Sequence, residues 1–177
     1  TERVEAEREQ ARLAARLSGL VESAMDGIIT VDVGQRIILY NRAAERIFGF
    51  PALQVMGRPI DMLIPKRFRT LHRKHVDAFG TTGVTSRRMG GSAVLTGLRA
   101  TGEEFPIDAS ISQVDTPDGK LFTVILRDVT DRMRAQEELA VFAAEANGAR
   151  EQEKARIARE LHDELAQTLA AAKMDAR

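Results

Sequence analysis

Residues 156–167, RIARELHDELAQ, carry the side chains best suited to chemistry in this chain. His162 is followed directly by Asp163, and Gln167 comes four residues after that carboxylate. A neutral imidazole is nucleophilic near pH 7, because its unperturbed pKa is about 6.5. One ring nitrogen can attack an electrophile such as a γ-phosphorus while the other is held by an acceptor. The alternative for such a pair is an ordinary solvated helix face, and the rest of the chain must decide between the two.

The helix that positions this pair has one apolar stripe. At about 100° per residue, four side chains lie along it: Ile157, Leu161, Leu165 and Leu169. His162 falls roughly 20° beyond the stripe, where it can be held by packing and still reach solvent. Asp163 and Gln167 share a face because they are four residues apart, but adjacent residues diverge by about 100°. Spacing alone therefore does not point Asp163 toward His162.

The composition excludes several classes of function. The 26 basic residues balance the 26 acidic ones, so no global charge attracts nucleic acid or anionic lipid. The absence of cysteine excludes disulfides, thiolate metal sites, cysteine nucleophiles and cysteinyl-flavin photochemistry. No apolar run approaches the roughly 20 residues of a membrane span, and the charged start is unlike a signal peptide. We therefore expect a cytoplasmic chain with no membrane segment, no metal site and no nucleic-acid partner.

The period of the apolar residues divides the chain into four segments. Residues 1–24 have the spacing of a short coiled-coil helix, and residues 131–150 repeat a heptad seam. Residues 25–130 contain two strands, several short helices and three more strands, whereas residues 84–92, VTSRRMGGS, are predicted to be a loop. Residues 151–177 are helical. The pattern predicts an α+β fold with a five-stranded antiparallel sheet, flanking short helices, an N-terminal coiled-coil helix and a long C-terminal helix.

Two stretches of the chain resemble known families. DGIITVDVGQRIILYNRAAERIFGF, GRPIDMLIP, TGEEFPIDASIS and FTVILRDVTDR resemble a PAS domain over residues 22–130. The ending RDVTDR is similar to the D-[IV]-T motif that precedes an output helix in PAS proteins. EKARIARELHDELAQTL resembles the phosphoacceptor helix of histidine kinases that carry an HDxxxQ motif, and His162, Asp163 and Gln167 match that motif position by position.

The resemblance implies part of a homodimeric two-component sensor histidine kinase. His162 would accept the phosphoryl group of ATP, Asp163 would act as base or orienter, and Gln167 would position the water of the phosphatase reaction. A response regulator aspartate would receive the phosphoryl group. The ATP-binding domain and the second helix of the phosphoacceptor hairpin are missing, so we expect this chain alone to be inactive. The alternative is a non-enzymatic PAS module for ligand binding or dimerisation.

The resemblance also raises the question of a ligand in the PAS domain. Oxygen-sensing PAS kinases carry a haem-ligating histidine in the region of His72 and His75, with His72 nearest to it. His72 lies among basic residues typical of a solvated face, whereas His75 is expected on an apolar face with Phe68, Leu71 and Phe79. Haem, a non-covalent flavin, a small apolar ligand or none are the alternatives. The predicted pocket lining is Met56, Phe68, Leu98, Ile107 and Ile125.

The heptad seam of the linker changes phase before the phosphoacceptor helix. The seam residues are Ala135, Leu139, Phe142, Ala146 and Ala149. Continuing it reaches Glu153 and Arg156, but the next apolar stripe begins at Ile157, one residue later. We interpret this break as a candidate switch point between the sensor and His162.

Overall fold

The computed structural model describes residues 2–90 and 94–175. The chain forms two compact units, Thr1–Thr130 and Asp131–Arg177. The first begins with helix α1, Glu2–Ser23, which confirms the predicted N-terminal helix. Leu13, Leu17 and Leu20 remain more than half exposed on it in the single chain. Helix α1 therefore presents an apolar seam that the chain itself does not cover.

An antiparallel sheet follows α1. Its strands are β1 Gly27–Val31, β2 Ile37–Tyr40, β3 Ser86–Arg88, β4 Leu95–Leu98, β5 Glu104–Thr116 and β6 Gly119–Asp128. The order is β2-β1-β6-β5, with both β3 and β4 paired to the remaining edge of β5. The predicted five-stranded sheet is thus confirmed, with its fifth position divided into two short strands.

The strand β3 corrects the prediction of a loop over residues 84–92. Ser86–Arg88 pairs with residues 110–112 of β5, and Arg88 forms an ion pair with Asp108 across the two strands. The guanidinium of Arg87 lies 4.9 Å from the ring centroid of Phe79. These contacts stabilise a basic, glycine-flanked stretch as an edge strand, which its composition does not indicate. Residues 91–93, which include the end of the predicted loop, lie outside the described residues.

Short helices connect β2 to β3. They are α2 Arg42–Phe48, α3 Ala52–Val55, two 3₁₀ turns at Ile60–Leu63 and Lys66–Phe68, and α4 Arg69–Gly80. Their buried side chains pack with one face of the sheet in a single hydrophobic core. Phe48 and Phe105 meet edge to face at 5.5 Å in this core. At Gly97, a Cβ would lie 2.9 Å from the Phe105 ring and 3.2 Å from Phe48. This end of the core is filled to contact distance.

The side chain of Asn41 joins four backbone segments. Its Oδ1 accepts hydrogen bonds from the amides of Ile28 in β1 and Ala44 in α2, at 2.9 and 3.0 Å. Its Nδ2 donates to the carbonyls of Val21 and Asp26, at 2.9 and 3.1 Å. Asn41 is fully buried, so both ends of its amide must be satisfied within the protein. It therefore caps α2 and ties the end of α1 to the sheet.

Helix α4 is rotated relative to the expected face. Val76 and Phe79 are buried, but Leu71 and His75 are exposed and Phe68 is 38% exposed. Phe68 belongs to the 3₁₀ turn before α4, so the α-helical period does not extend to it. His72, Val76 and Phe79 form the inner row of the helix.

The second unit is a single α-helix. Helix α5 runs from Thr130 to Asp175 through Gly148 and through the phase break predicted after Ala149. A glycine inside a helix costs about 1 kcal/mol relative to alanine, so α5 is weaker near this position. Among the described helices, none combines the length and apolar character needed to cross a membrane.

Candidate functional site

The predicted nucleophile lies on an exposed part of α5. His162, Asp163 and Gln167 are all solvent-exposed, and within the described chain their side chains form no hydrogen bond or ion pair. The helix brings Asp163 and Gln167 onto one face, one turn apart, with His162 beside them. The structure does not join His162 to Asp163 by a hydrogen bond, so the role of Asp163 remains a prediction.

The apolar stripe beside His162 is also exposed. Ile157, Leu161, Leu165 and Leu169 are 44 to 70% accessible in the single chain. An exposed stripe of this length, with a polar residue at its edge, is typical of a surface that pairs with another helix. His162 would stay at the rim of such an interface.

Charged residues before His162 form ion pairs along α5. Arg156 donates to Glu153 with Nε at 3.0 Å and to Glu160 with Nη1 at 2.6 Å. Lys154 pairs with Glu151 at 3.0 Å. Arg156 is therefore paired with acidic neighbours on both sides.

Polar contacts at the end of β6 hold the start of α5. Asp128 Oδ1 accepts from the amide and hydroxyl of Thr130 at 2.9 and 2.6 Å, while Oδ2 accepts from Arg99 at 2.5 Å. Arg99 also donates to the carbonyl of Ile47, and its guanidinium lies 3.7 Å from the Phe105 centroid. Although burial alone raises it, the hydrogen bonds from Thr130 and Arg99 lower the pKa of Asp128 below its usual value. Asp128 therefore links the first residue of α5 to the core as a carboxylate.

The predicted pocket lining is mostly not inside the domain. Ile107 packs against the hydrophobic core, but Met56 and Ile125 are each 44% exposed and Phe68 is also at the surface. Ile125 lies between the buried Val124 and Leu126 of β6, so it points to the opposite face of the sheet. Leu98 pairs with Glu104 on the same outer row. Of the five predicted lining residues, Ile107 is the one that packs against the core, and the pocket itself stays a prediction.

His72 and His75 lie in environments opposite to those expected from the sequence. His72 lies on the inner row of α4, and its Nδ1 is buried without a hydrogen-bond partner in the described residues. Burial lowers the pKa of His72, and the nearby carboxylate of Asp61 opposes this effect. His75, expected on the apolar face, is exposed. The basic neighbours of His72 misled the prediction because Arg73 turns outward to pair with Asp61.

Sequence reasoning missed the polar groups around His72. Gln35 is 5% exposed, and its Nε2 donates to the carbonyl of Arg73 at 3.3 Å and to Asp77 at 3.1 Å. Its Oε1, like Oδ1 of Asp61, is buried without a partner among the described groups. Gln35 has a φ of 58°, which is uncommon for a residue other than glycine. The turn sequence VGQ gave only a weak signal for this conformation.

Arginines of the first unit pair with carboxylates of neighbouring elements. Arg67 binds Glu104 and Arg73 binds Asp61, as Arg88 binds Asp108. Within residues 2–90 and 94–175, no group of three or more His, Asp or Glu side chains could hold a metal ion. The charges of this domain thus stabilise contacts between its own elements.

Comparison with known proteins assigns the two units. The family model "PAS domain" matches residues 25–131, and the chain belongs to this family. The model "Histidine kinase" matches residues 153–177. The combination is that of a PAS-domain sensor histidine kinase.

The chain is similar to a curated sensor protein and to a curated histidine kinase. The chain is 30% identical over 129 residues to the sensor protein FixL of Bradyrhizobium diazoefficiens, covering 73% of this chain and 25% of FixL. It is 28% identical over 147 residues to the cell-division control histidine kinase PdhS of Brucella ovis, covering 83% and 14%. The chain therefore spans a quarter or less of these relatives.

Solved structures agree on the fold. The PAS domain of an HTR-like protein from Haloarcula marismortui superposes with a TM-score of 0.58 at 19% identity. That match covers 72% of this chain and 99% of the other. At this level of identity, the likeness supports the PAS fold alone.

The burial of His72 predicts a pH-dependent stability. Because its pKa is lowered in the folded state, the unfolded chain binds a proton below about pH 6.5 that the folded chain does not. The contribution of His72 to the free energy of unfolding is therefore fully present above this pH. It falls as the pH drops, by at most about 1.4 kcal/mol per pH unit. Urea denaturation between pH 8 and 5.5, followed by fluorescence of the single tyrosine, Tyr40, measures this slope.

Two variants assign that slope to one residue. His72→Gln should flatten the dependence, whereas His75→Gln should retain it because His75 is exposed. Equal slopes in the unmodified chain and His72→Gln would contradict the role of His72.

Proposed function

We propose that this chain is the sensor and phosphoacceptor part of a cytoplasmic two-component histidine kinase, and that His162 is the phosphorylated residue. The observation that carries the proposal is His162 on an exposed helix, within the segment that matches the histidine kinase family model. The kinase domain that binds ATP would be supplied from outside the residues of this chain.

The proposed reaction is nucleophilic attack by a neutral imidazole. A ring nitrogen of His162 donates its lone pair to the γ-phosphorus of ATP, and an N–P bond forms. The bond from that phosphorus to the β,γ-bridging oxygen breaks, and ADP leaves with the electron pair. The other ring nitrogen releases its proton to Asp163, directly or through a water.

Two further steps follow from the same site. An aspartate of a response regulator receives the phosphoryl group from His162, which regenerates the neutral imidazole. Gln167 positions a water molecule that hydrolyses the phosphorylated regulator. Its amide can hold this water because Gln167 lies one turn beyond Asp163 on the same exposed face.

The assignment of His162 can be tested in trans. When this chain is incubated with a histidine kinase ATP-binding domain of the same family and γ-labelled ATP, we expect acid-labile, base-stable label on the chain. His162→Ala should abolish it, since no other side chain of the helix supplies a neutral imidazole. His75→Ala is the matched control, because it removes another exposed histidine and should leave the label unchanged. Label that persists in His162→Ala would favour the alternative of a non-enzymatic PAS module.

We further propose that the chain acts as a homodimer through its N- and C-terminal helices. The exposed seam of α1 and the exposed stripe of α5 support this, since burying a leucine contributes about 1.5–3 kcal/mol. The PAS domain would then regulate His162 through the linker. The phase break lies within a continuous helix that is weakened by Gly148, so two packing phases can compete there.

Insertions in the linker test this regulation. One alanine inserted between Ala149 and Lys154 rotates the following helix by about 100°, and we expect the rate of His162 labelling to change roughly tenfold. Insertion of seven residues restores the phase to within about 20° and should restore the rate. Light scattering checks that each variant is a dimer. A monomer would contradict the proposed assembly, and rates insensitive to both insertions would contradict the switch.

The surroundings of His72 bear on whether the PAS domain binds a cofactor. His72 offers a buried, neutral imidazole nitrogen, which is chemically suited to haem iron. Val76 and Phe79, on the same row of α4, are buried in the hydrophobic core, so a haem or flavin bound next to His72 would require this part of the core to rearrange. We propose a sensor that binds a smaller ligand or none.

An absorption spectrum decides this point. The purified chain, alone and after incubation with haem and removal of the excess, should have no Soret band, because Val76 and Phe79 on the row of His72 are buried in the core. The parallel sample incubated with flavin should show no retained flavin absorbance. A Soret band that is lost in His72→Ala would overturn this expectation and identify His72 as the ligand.

A further inference from the structure

Among the residues one helical turn from His162, Arg159 is the one with a charged side chain. Residues three or four apart on a helix are neighbours, with Cβ atoms about 5–6 Å apart. For His162 these neighbours are Ala158, Arg159, Leu165 and Ala166, all within the described part of α5. Of these four, Arg159 carries the charge, and the two alanines leave space beside the imidazole. A phosphoryl group on His162 would therefore meet the guanidinium first.

Arg159 also begins the row that contains the other predicted site residues. Arg159, Asp163 and Gln167 are each four residues apart, so they follow one another along one face of α5. At about 100° per residue, Arg159 lies roughly 60° from His162 and Asp163 roughly 100°. A guanidinium, a carboxylate and an amide thus line the polar side of the imidazole.

The guanidinium of Arg159 is available, in contrast to that of Arg156. Arg156 is held between Glu153 and Glu160. Arg159 is exposed and, within residues 2–90 and 94–175, has no ion pair or hydrogen bond from its side chain. Asp163 lies one turn away but is not paired with it. Two arginines of one helix therefore differ in whether they can bind an added anion.

We propose that Arg159 binds the oxygens of the phosphoryl group that is transferred to and from His162. This inference rests on the proposed function of His162. During transfer the charge is spread over three equatorial oxygens of the phosphoryl group. The planar guanidinium can donate to two of them at once. Arg159 thereby stabilises this charge both when the group leaves ADP and when it leaves His162, while Asp163 receives the imidazole proton.

The first test needs no ATP-binding domain. Phosphoramidate transfers its phosphoryl group to imidazole nitrogen: the new N–P bond forms, the P–N bond of the donor breaks, and ammonia leaves with the imidazole proton. The chain with His75→Gln is phosphorylated in this way, and ³¹P NMR follows the titration of the phosphohistidine signal that is absent in His162→Ala. Arg159→Gln should raise the pKa of this phosphoryl group, because a neighbouring cation is lost. Arg159→Lys should retain part of the effect.

The matched control is Arg156→Gln, which removes the same charge from a paired position three residues away and should leave the titration unchanged. In labelling with ATP and the ATP-binding domain, Arg159→Gln should lower the maximal rate roughly 10- to 100-fold, as expected for a charge-assisted hydrogen bond. Arg156→Gln should stay near the unmodified rate. Circular dichroism checks that both variants keep their helix content.

The outcomes separate this inference from the one it rests on. Absence of any phosphohistidine at position 162 in the unmodified chain would overturn both. A normal signal at His162 with an unchanged titration and rate in Arg159→Gln would overturn the role of Arg159 alone. Equal effects of Arg159→Gln and Arg156→Gln would also overturn it, because a general loss of positive charge would then explain the result.

Discussion

The buried amide of Asn41 is the interaction on which the arrangement of the sensor domain depends. An amide has two donors and two acceptor lone pairs, and here four backbone groups from separate segments satisfy it. Asp26, whose carbonyl Asn41 holds, also binds Arg127 of β6 through its carboxylate, at 2.8 and 2.9 Å. The end of α1, the central strands and α2 are therefore connected through one side chain. Because each unsatisfied buried group costs about 1–3 kcal/mol, these segments cannot separate one at a time.

A second constraint acts where the sheet ends and α5 begins. Asp128 is the last residue of β6, and its two oxygens bind different elements: Thr130 on one side and Arg99 on the other. Arg99 in turn contacts the carbonyl of Ile47 at the end of α2, which Asn41 caps at its beginning. Helix α2 is thus in contact with both polar clusters. A ligand or a proton that moves α2 would therefore change the contacts of both polar clusters, at both ends of the sensor domain. A signalling module needs this kind of coupling.

The sequence was sufficient to predict the elements that are determined by local sequence pattern. It was not sufficient for those that are determined by tertiary contacts. The strands of the sheet, the cap at Asn41 and the uninterrupted α5 follow from period and turn chemistry. The inner face of α4 did not follow, because Phe68 lies in a 3₁₀ turn and Arg73 is drawn outward by Asp61. Strand β3 was missed since its pairing depends on Asp108 and Phe79, which are distant in sequence. At the candidate site, spacing was sufficient for the row that includes Asp163 and Gln167, but it could not reveal that Arg156 is paired and, in the described part of the chain, Arg159 is not.

The phosphoryl transfer proposed for α5 depends on a site that a single helix does not complete, because the apolar stripe beside His162 is exposed. A phosphoryl group carries its charge on oxygens that water solvates well, so an exposed guanidinium alone contributes little. Covering the apolar stripe next to His162 would strengthen the interaction between the guanidinium and the phosphoryl group. The packed leucines would exclude water from one side of the imidazole and lower the local dielectric constant. His162 stands at that boundary, with the apolar stripe on one side and Arg159 and Asp163 on the other. The same packing that would pair two helices would therefore also strengthen the electrostatic interactions on which phosphoryl transfer depends, so dimerisation and catalysis need not be separate properties of this helix.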